Sequence, residues 1–155
     1  MNWIIVDLDC TLCDTKALVQ SGGPEPTPGT IEHADWVKLV THPETLLKAP
    51  AVKTILNLVR QLEHSMLDTM VVFLTNRRTC LEEVTKLWLA KYNLPNPLFM
   101  RPQDEHSRSG AFKGSVIKRL ISAGDSVLII DDDDDRSIEA VCREMGWTHL
   151  KITTY

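Results

Sequence analysis

Near the start of the chain a greasy run, Trp3-Ile4-Ile5-Val6, ends abruptly in Asp7-Leu8-Asp9-Cys10-Thr11. Two carboxylates two residues apart at the tip of a strand can do two things. They can ligate a hard cation, since Mg²⁺ favours a few carboxylates plus water and substrate oxygens. Alternatively one can attack phosphorus while the other moves a proton. The bland alternative is a strand end with two solvated acids. A second chemical ending follows "MVVFL": Thr75-Asn76-Arg77-Arg78 sets a hydroxyl, an amide and guanidinium groups at a strand tip, as a phosphate-holding corner would. Thr75 or Asn76 could equally serve as a helix N-cap. A third ending is "VLII" followed by Asp131 to Asp135 and Arg136. Consecutive acids repel one another unless a cation or a helix N-terminus relieves them. A charge run is commonly a solvated face, but this one joins a buried strand to an amphipathic helix. Between these endings "AFKGSVIKRL" puts Lys113 at the start of a helix.

These residues need a scaffold that gathers strand ends. Apolar runs at 2–7, 69–75, 97–101, 126–131 and 147–152 read as strands, mostly continuous as in strands covered on both faces. Helix-spaced apolar residues mark 50–65, 79–92, 113–123 and 137–145, with Gly124 and Gly146 at expected C-caps. The alternation implies an α/β fold, a three-layer Rossmann-like parallel sheet with helices on both sides. In such sheets ligands bind beyond the carboxyl ends of the strands. The turn-rich segment 20–48 breaks the rhythm, with a short helix expected around Trp36, Val37 and Val40. With 155 residues and neither repeat nor linker, 1–155 reads as a single domain with a small insert.

Composition narrows the functions. The net charge of −4 excludes a globally basic nucleic-acid binder, so a polyanion would need a local patch. Arg77, Arg78, Arg101, Arg108, Lys113, Lys118 and Arg119 could form one; the alternative is scattered surface cations. No secretory pattern and no membrane-length apolar run is found, so a cytoplasmic protein with reduced thiols is expected. Cys10 and Cys13 form a C-x-x-C, but a zinc site would need a second pair of ligands. Trp3, Trp88 and Trp147 are expected in the core, and Trp36 near a substrate.

The ordered set, D-x-D-x-T, then Thr75, then Lys113 opening a helix, then an Asp pair, resembles the four-motif signature of the haloacid dehalogenase (HAD) superfamily. "LTNRR", "PLFMRPQDEHSRSGAFKGSVIKRL" and "VLIIDDDDDRSIEAV" are similar to the phosphatase domain of phage-type polynucleotide kinase/phosphatase. The resemblance implies a HAD-like, essentially capless phosphatase using Mg²⁺. Asp7 would be the nucleophile forming an aspartyl-phosphate, and Asp9 the general acid and base. Thr75 would bind the phosphoryl group and Lys113 would neutralise charge. Thr11, Asn76, Arg77 and Arg108 would meet substrate. Mg²⁺ would be held by Asp7, the backbone carbonyl of Asp9, Asp131 and Asp132; aligning on D-D-R instead would favour Asp134 and Asp135. Cys10 stands where the superfamily commonly has Gly, and Asn76 where the polynucleotide branch usually has it.

The gaps between motifs are too short for a large cap, so an open site is expected. The expected substrate is a phosphorylated nucleic-acid end, foremost a 3'-phosphate, with a nucleotidase for free (deoxy)nucleotides as the alternative. A non-catalytic metal-binding module is the reading of another class. No G-x-x-x-x-G-K-[ST] occurs, so no kinase domain is expected in this chain. The oligomeric state is left open.

Overall fold

The computed structural model describes residues 1–15, 17, 30, 38, 42–65, 68–132 and 136–153. Strands β1 (Asn2–Val6), β2 (Thr69–Arg78), β3 (Leu98–Arg101), β4 (Ser126–Asp131) and β5 (Thr148–Lys151) form one sheet in the order β3-β2-β1-β4-β5. Every pairing is parallel. Helices α1 (Pro43–Lys48), α2 (Lys53–Ser65), α3 (Glu82–Lys91), α4 (Ser109–Leu120) and α5 (Ser137–Met145) connect them, and a 3₁₀ turn, Thr79–Leu81, precedes α3.

The three layers follow from side-chain alternation along the strands. Ile4, Val6, Val71, Phe73 and Ile130 face one core with Ile55, Leu56 and Val59 of α2 and Trp88 and Leu89 of α3. Ile5, Val72, Leu74, Val127 and Ile129 face the other, with Phe112, Val116 and Ile117 of α4 and Ile138 and Cys142 of α5. Burial on both faces is why these strands read as unbroken apolar runs. The three tryptophans expected inside pack there: Trp88 is fully buried and donates to the Ala49 carbonyl, while Trp3 and Trp147 are partly buried against the second core.

Several boundaries differ from expectation. α4 starts at Ser109, so Lys113 lies a full turn inside it rather than at its start. The helix ends at Leu120, and Gly124 is not its C-cap. Instead Ser122–Asp125 forms a turn, closed by the Asp125 N–H to the Ser122 carbonyl, in which Gly124 takes φ +92°. Gly146 does cap α5, at φ +68°. β2 continues past Thr75 to Arg78, with a register shift against β3 between those residues. Within the insert, residues 43–48 form α1, while Trp36, Val37 and Val40 lie outside the described residues.

Strand order fixes where a site can form. The chain leaves β1 toward β2 and β3, then returns to β4 on the other side of β1. That reversal opens a crevice at the carboxyl ends of β1 and β4. Val6 pairs with both Phe73 and Ile130, so Asp7 and Asp131 come next, side by side, at its mouth.

Candidate active site

The centre of the site is a buried ion triplet. The Lys113 Nζ donates to Asp7 Oδ1 at 2.7 Å and to Asp131 Oδ2 at 2.5 Å. All three residues are buried. Asp7 directly follows β1 and is anchored by its N–H to the Ile130 carbonyl. Asp131 is the last residue of β4, and Lys113 reaches across from α4. Asp132 joins them: ligand oxygens of Asp7, Asp131 and Asp132 lie within 4.8 Å of one another. Asp7 and Asp131, both buried, share the one ammonium, and burial of two like charges side by side is costly. Burial accordingly pushes the Asp7 carboxyl up to about 7, Lys113 pulls it back, and the Asp131 charge adds to the rise. The same two carboxylates hold the Lys113 ammonium well above its ordinary value against the opposing effect of burial.

Asp9 is held differently. Arg77 grips it with a fork, Nε to Oδ2 at 2.9 Å and Nη2 to Oδ1 at 2.7 Å. The Arg77 side chain is 3% exposed and that of Asp9 38%. The acid is therefore fixed on one edge and open on the other. Each carboxylate oxygen has two lone pairs, so the open edge stays available for proton transfer. Thr85 Oγ1 and Cys13 Sγ, both at 3.3 Å, accept further bonds from the guanidinium. Burial pushes the Cys13 thiol up to about 12, so the sulfur meets Arg77 as a neutral thiol.

The loop between the two acids is tight. The Thr11, Leu12 and Cys13 N–H groups all bond the Leu8 carbonyl, and the Cys10 N–H bonds the Cys13 carbonyl. Cys10 consequently takes φ 60°, in the left-handed region that costs a non-glycine residue about 1–2 kcal/mol. That explains why glycine is common there in the family this sequence resembles. All four cysteines are free thiols.

The remaining expected residues spread out. Thr75 is fully buried, and its Oγ1 accepts the Arg77 N–H at 3.2 Å, so its own proton is left to donate. It caps no helix; Arg78 occupies the N-cap position without a side-chain bond. Thr11 is buried with its hydroxyl 3.5 Å from Asp7 Oδ2. Asn76 is tied between Ser109 Oγ at 2.7 Å and Arg101 Nη2 at 2.6 Å, pinning the start of α4 to the tip of β2. Arg108 is exposed just before α4. Asp133, Asp134 and Asp135 lie outside the described residues.

The basic patch contracts. Arg77, Arg101 and Lys113 point inward, because each is claimed by partners a surface cation lacks. Arg101 donates to the Ser107 carbonyl and lies over the Phe112 ring at 4.8 Å. Arg78 binds the carbonyls of Pro102 and Glu105. These two arginines staple the loop 102–108 in place, leaving Arg108, Lys118 and Arg119 as the exposed members of the set.

Sequence reasoning missed the Arg77 fork, Thr85 and Cys13 as its supports, and the contact of Gly110 with Ser137. The fork, the Cys13 contact and the Gly110 contact have no local signal, since each joins elements far apart in the chain, and Thr85 is one polar residue of a helix whose apolar spacing does not mark it.

No family model and no curated protein matches the chain. Solved structures do. Chains from two structures of the Pnkp1/Rnl/Hen1 complex, one described as an RNA repair complex, match at TM-scores of 0.71 and 0.70 with 18% identity. The match covers 97% of this chain and 45% and 42% of theirs, so it spans less than half their length. A class C acid phosphatase from Bacillus anthracis, solved with tungstate bound, matches at 0.60 with 15% identity, over 97% of this chain and 65% of that one. The likeness is one of fold. The five-stranded parallel sheet and two helical layers are the expected architecture. No described helix is long and apolar enough to cross a membrane.

Proposed function

We propose that the chain is a Mg²⁺-dependent phosphomonoesterase working through an aspartyl-phosphate on Asp7. The observation that carries this reading is Lys113 held between Asp7 and Asp131 at the switch point of the sheet. A phosphoryl dianion will not approach a carboxylate unless positive charge offsets the repulsion. The donor set suits a hard cation, being all carboxylate oxygen. Asp7, Asp131 and Asp132, with the backbone carbonyl of Asp9, would hold Mg²⁺, which when bound supplies charge neutralisation at the phosphoryl oxygens.

The protein's own groups then divide the work. A carboxylate oxygen of Asp7 attacks phosphorus as the ester P–O bond breaks, and Asp9 gives its proton to the departing alkoxide. Water next attacks the aspartyl-phosphate; Asp9 takes a proton from it, the P–O bond to Asp7 breaks, and phosphate leaves. Thr75 donates its hydroxyl to a phosphoryl oxygen, and Lys113 offsets the charge on both partners.

The substrate we favour is a phosphorylated nucleic-acid end, foremost a 3'-phosphate. What supports it is the slight insertion between β2 and α4, which holds the 3₁₀ turn Thr79–Leu81, α3, β3 and short loops, the last of them the stapled 102–108, and the likeness to chains of an RNA repair complex. One observation favours free nucleotides instead: with Arg77, Arg101 and Lys113 turned inward, the cation patch expected beside the site contracts to Arg108, Lys118 and Arg119 as its exposed members. A phosphate-release screen decides among these. It compares 3'-phosphorylated oligonucleotides, 5'-phosphorylated oligonucleotides and free nucleotides, each with Mg²⁺ and with chelator. Release from the 3'-phosphorylated oligomer that stops on chelation is expected. Full release after exhaustive chelation would sink the metal mechanism, and no release from any phosphomonoester would leave a metal-binding module.

A further inference from the structure

The Arg77 guanidinium is itself held on its far side. Its Nη2 is shared between Asp9 Oδ1 at 2.7 Å and Cys13 Sγ at 3.3 Å, and its Nη1 reaches Thr85 Oγ1 at 3.3 Å. Thr85 and Cys13 are both fully buried. They come from different directions, Thr85 from the first turn of α3 and Cys13 from the loop that follows Asp9. An arginine gripped only by Asp9 could swing with it toward solvent, because Asp9 is 38% exposed. Two buried acceptors fix the plane of the guanidinium, and a planar fork fixes the plane of the carboxylate it grips. A proton donor misplaced by about 1 Å can cost around a hundredfold, so this backing matters more for chemistry than for stability.

We infer that Cys13 and Thr85 are positioning residues that act through Arg77 to aim Asp9 at the leaving-group oxygen. The inference rests on the proposed role of Asp9 as proton donor. It gives the second cysteine of the C-x-x-C a purpose that is neither redox nor metal binding: a neutral sulfur acceptor at the back of an arginine. It also gives a hydroxyl inside α3 a reason to be threonine rather than valine.

The leaving group supplies the test. An alkyl phosphate, such as a nucleoside 3'-phosphate, needs a proton on its departing oxygen, while 4-nitrophenyl phosphate departs without one. The quantity to measure is kcat/KM, which reports the step in which the leaving group departs. Thr85→Val and Cys13→Ala should each lose about tenfold on the alkyl ester and less than about twofold on the aryl ester. Thr85→Ser and Cys13→Ser keep an acceptor and should restore most of the loss. Thermal melts check that each variant folds; Thr85→Val, nearly isosteric, carries the test if Cys13→Ala does not. Equal losses on both esters, or no loss on either, would overturn the positioning role. Asp9→Asn is the control that separates the two ideas. If it shows the leaving-group split and Thr85→Val does not, the positioning inference alone fails. If Asp9→Asn shows no split, the assignment of Asp9 falls and takes the inference with it.

Discussion

Asp7 is asked to be at once a nucleophile and one corner of a buried charge cluster. Asp7→Asn keeps the shape but removes the attacking oxyanion, so turnover should fall by more than about a thousandfold in a protein that still folds. Activity near wild type in the purified variant would mean that the nucleophile lies elsewhere. The same substitution reports on the charge. The folded-state pKa of Asp7 is raised from 3.8 to about 7, chiefly by burial. The folded protein therefore favours the neutral carboxyl, a contribution fully present below the unfolded value and lost as pH rises toward 7. Without metal, the Tm of Asp7→Asn should gain on wild type across that window and level off above it; Mg²⁺ should then lift wild type more than the variant. Parallel melting curves across the pH range would contradict this. Cys10 makes a separate residue-scale case. Held at φ 60° by the loop's hydrogen bonds, it needs a left-handed backbone more than a thiol. Cys10→Gly should keep turnover and leave stability within about 1 kcal/mol of wild type. Loss of activity in that variant would show that the sulfur takes part.

At the scale of elements, the sequence was most legible where burial is symmetric. Strands covered on both faces read as apolar runs, and the acids closing β1 and β4 mark the carboxyl edge without reference to the sheet order. α4 was less legible because its first turn, Ser109-Gly110-Ala111-Phe112, carries a glycine and little periodicity. Tertiary contact explains the glycine. The Gly110 N–H donates to Ser137 Oγ at 2.7 Å, and a Cβ there would lie 2.2 Å from the Ser137 carbonyl oxygen. α4 carries Lys113, and Ser137 opens α5 just after the acidic run, so this contact sets the lysine against the acids. The Arg77 fork was illegible for the same reason: Asp9 and Arg77 are 68 residues apart. Gly110→Ala should push the two helices apart, costing about 1–3 kcal/mol, and should raise the Mg²⁺ concentration needed for half-maximal turnover. A Tm loss with unchanged Mg²⁺ dependence would make the contact purely structural.

For the molecule as a whole, the open question is how much of a substrate the surface can hold. A chain of net charge −4 repels polyanions at long range, so attraction must come from local cations. The sequence offered seven, but the fold spends Arg77 on Asp9, Arg101 on Asn76 and Ser107, Lys113 on Asp7 and Asp131, and Arg78 on the carbonyls of the 102–108 loop. Burial could not be read from charge alone, because an arginine with a partner and one without look identical in sequence. What remains exposed, Arg108 with Lys118 and Arg119 along α4, could meet only a few phosphates beyond the scissile one. A polymer substrate should therefore show a shallow salt dependence: log(kcat/KM) against log[salt] should fall with a slope of about −1 to −2, on the single-strand scale of ~0.7 per contact. Arg108→Ala should flatten that slope while leaving a small aryl phosphate unaffected. Arg77→Ala should instead depress turnover of nucleotide and oligomer alike, because it releases Asp9 rather than a phosphate contact. The measurement compares a 3'-mononucleotide with a short 3'-phosphorylated oligomer at two salt concentrations. A higher kcat/KM for the oligomer that shrinks as salt rises supports the nucleic-acid end. Equal values at both salts would remove the polymer and leave a nucleotidase, the outcome that the inward turn of so many cations already makes physically intelligible.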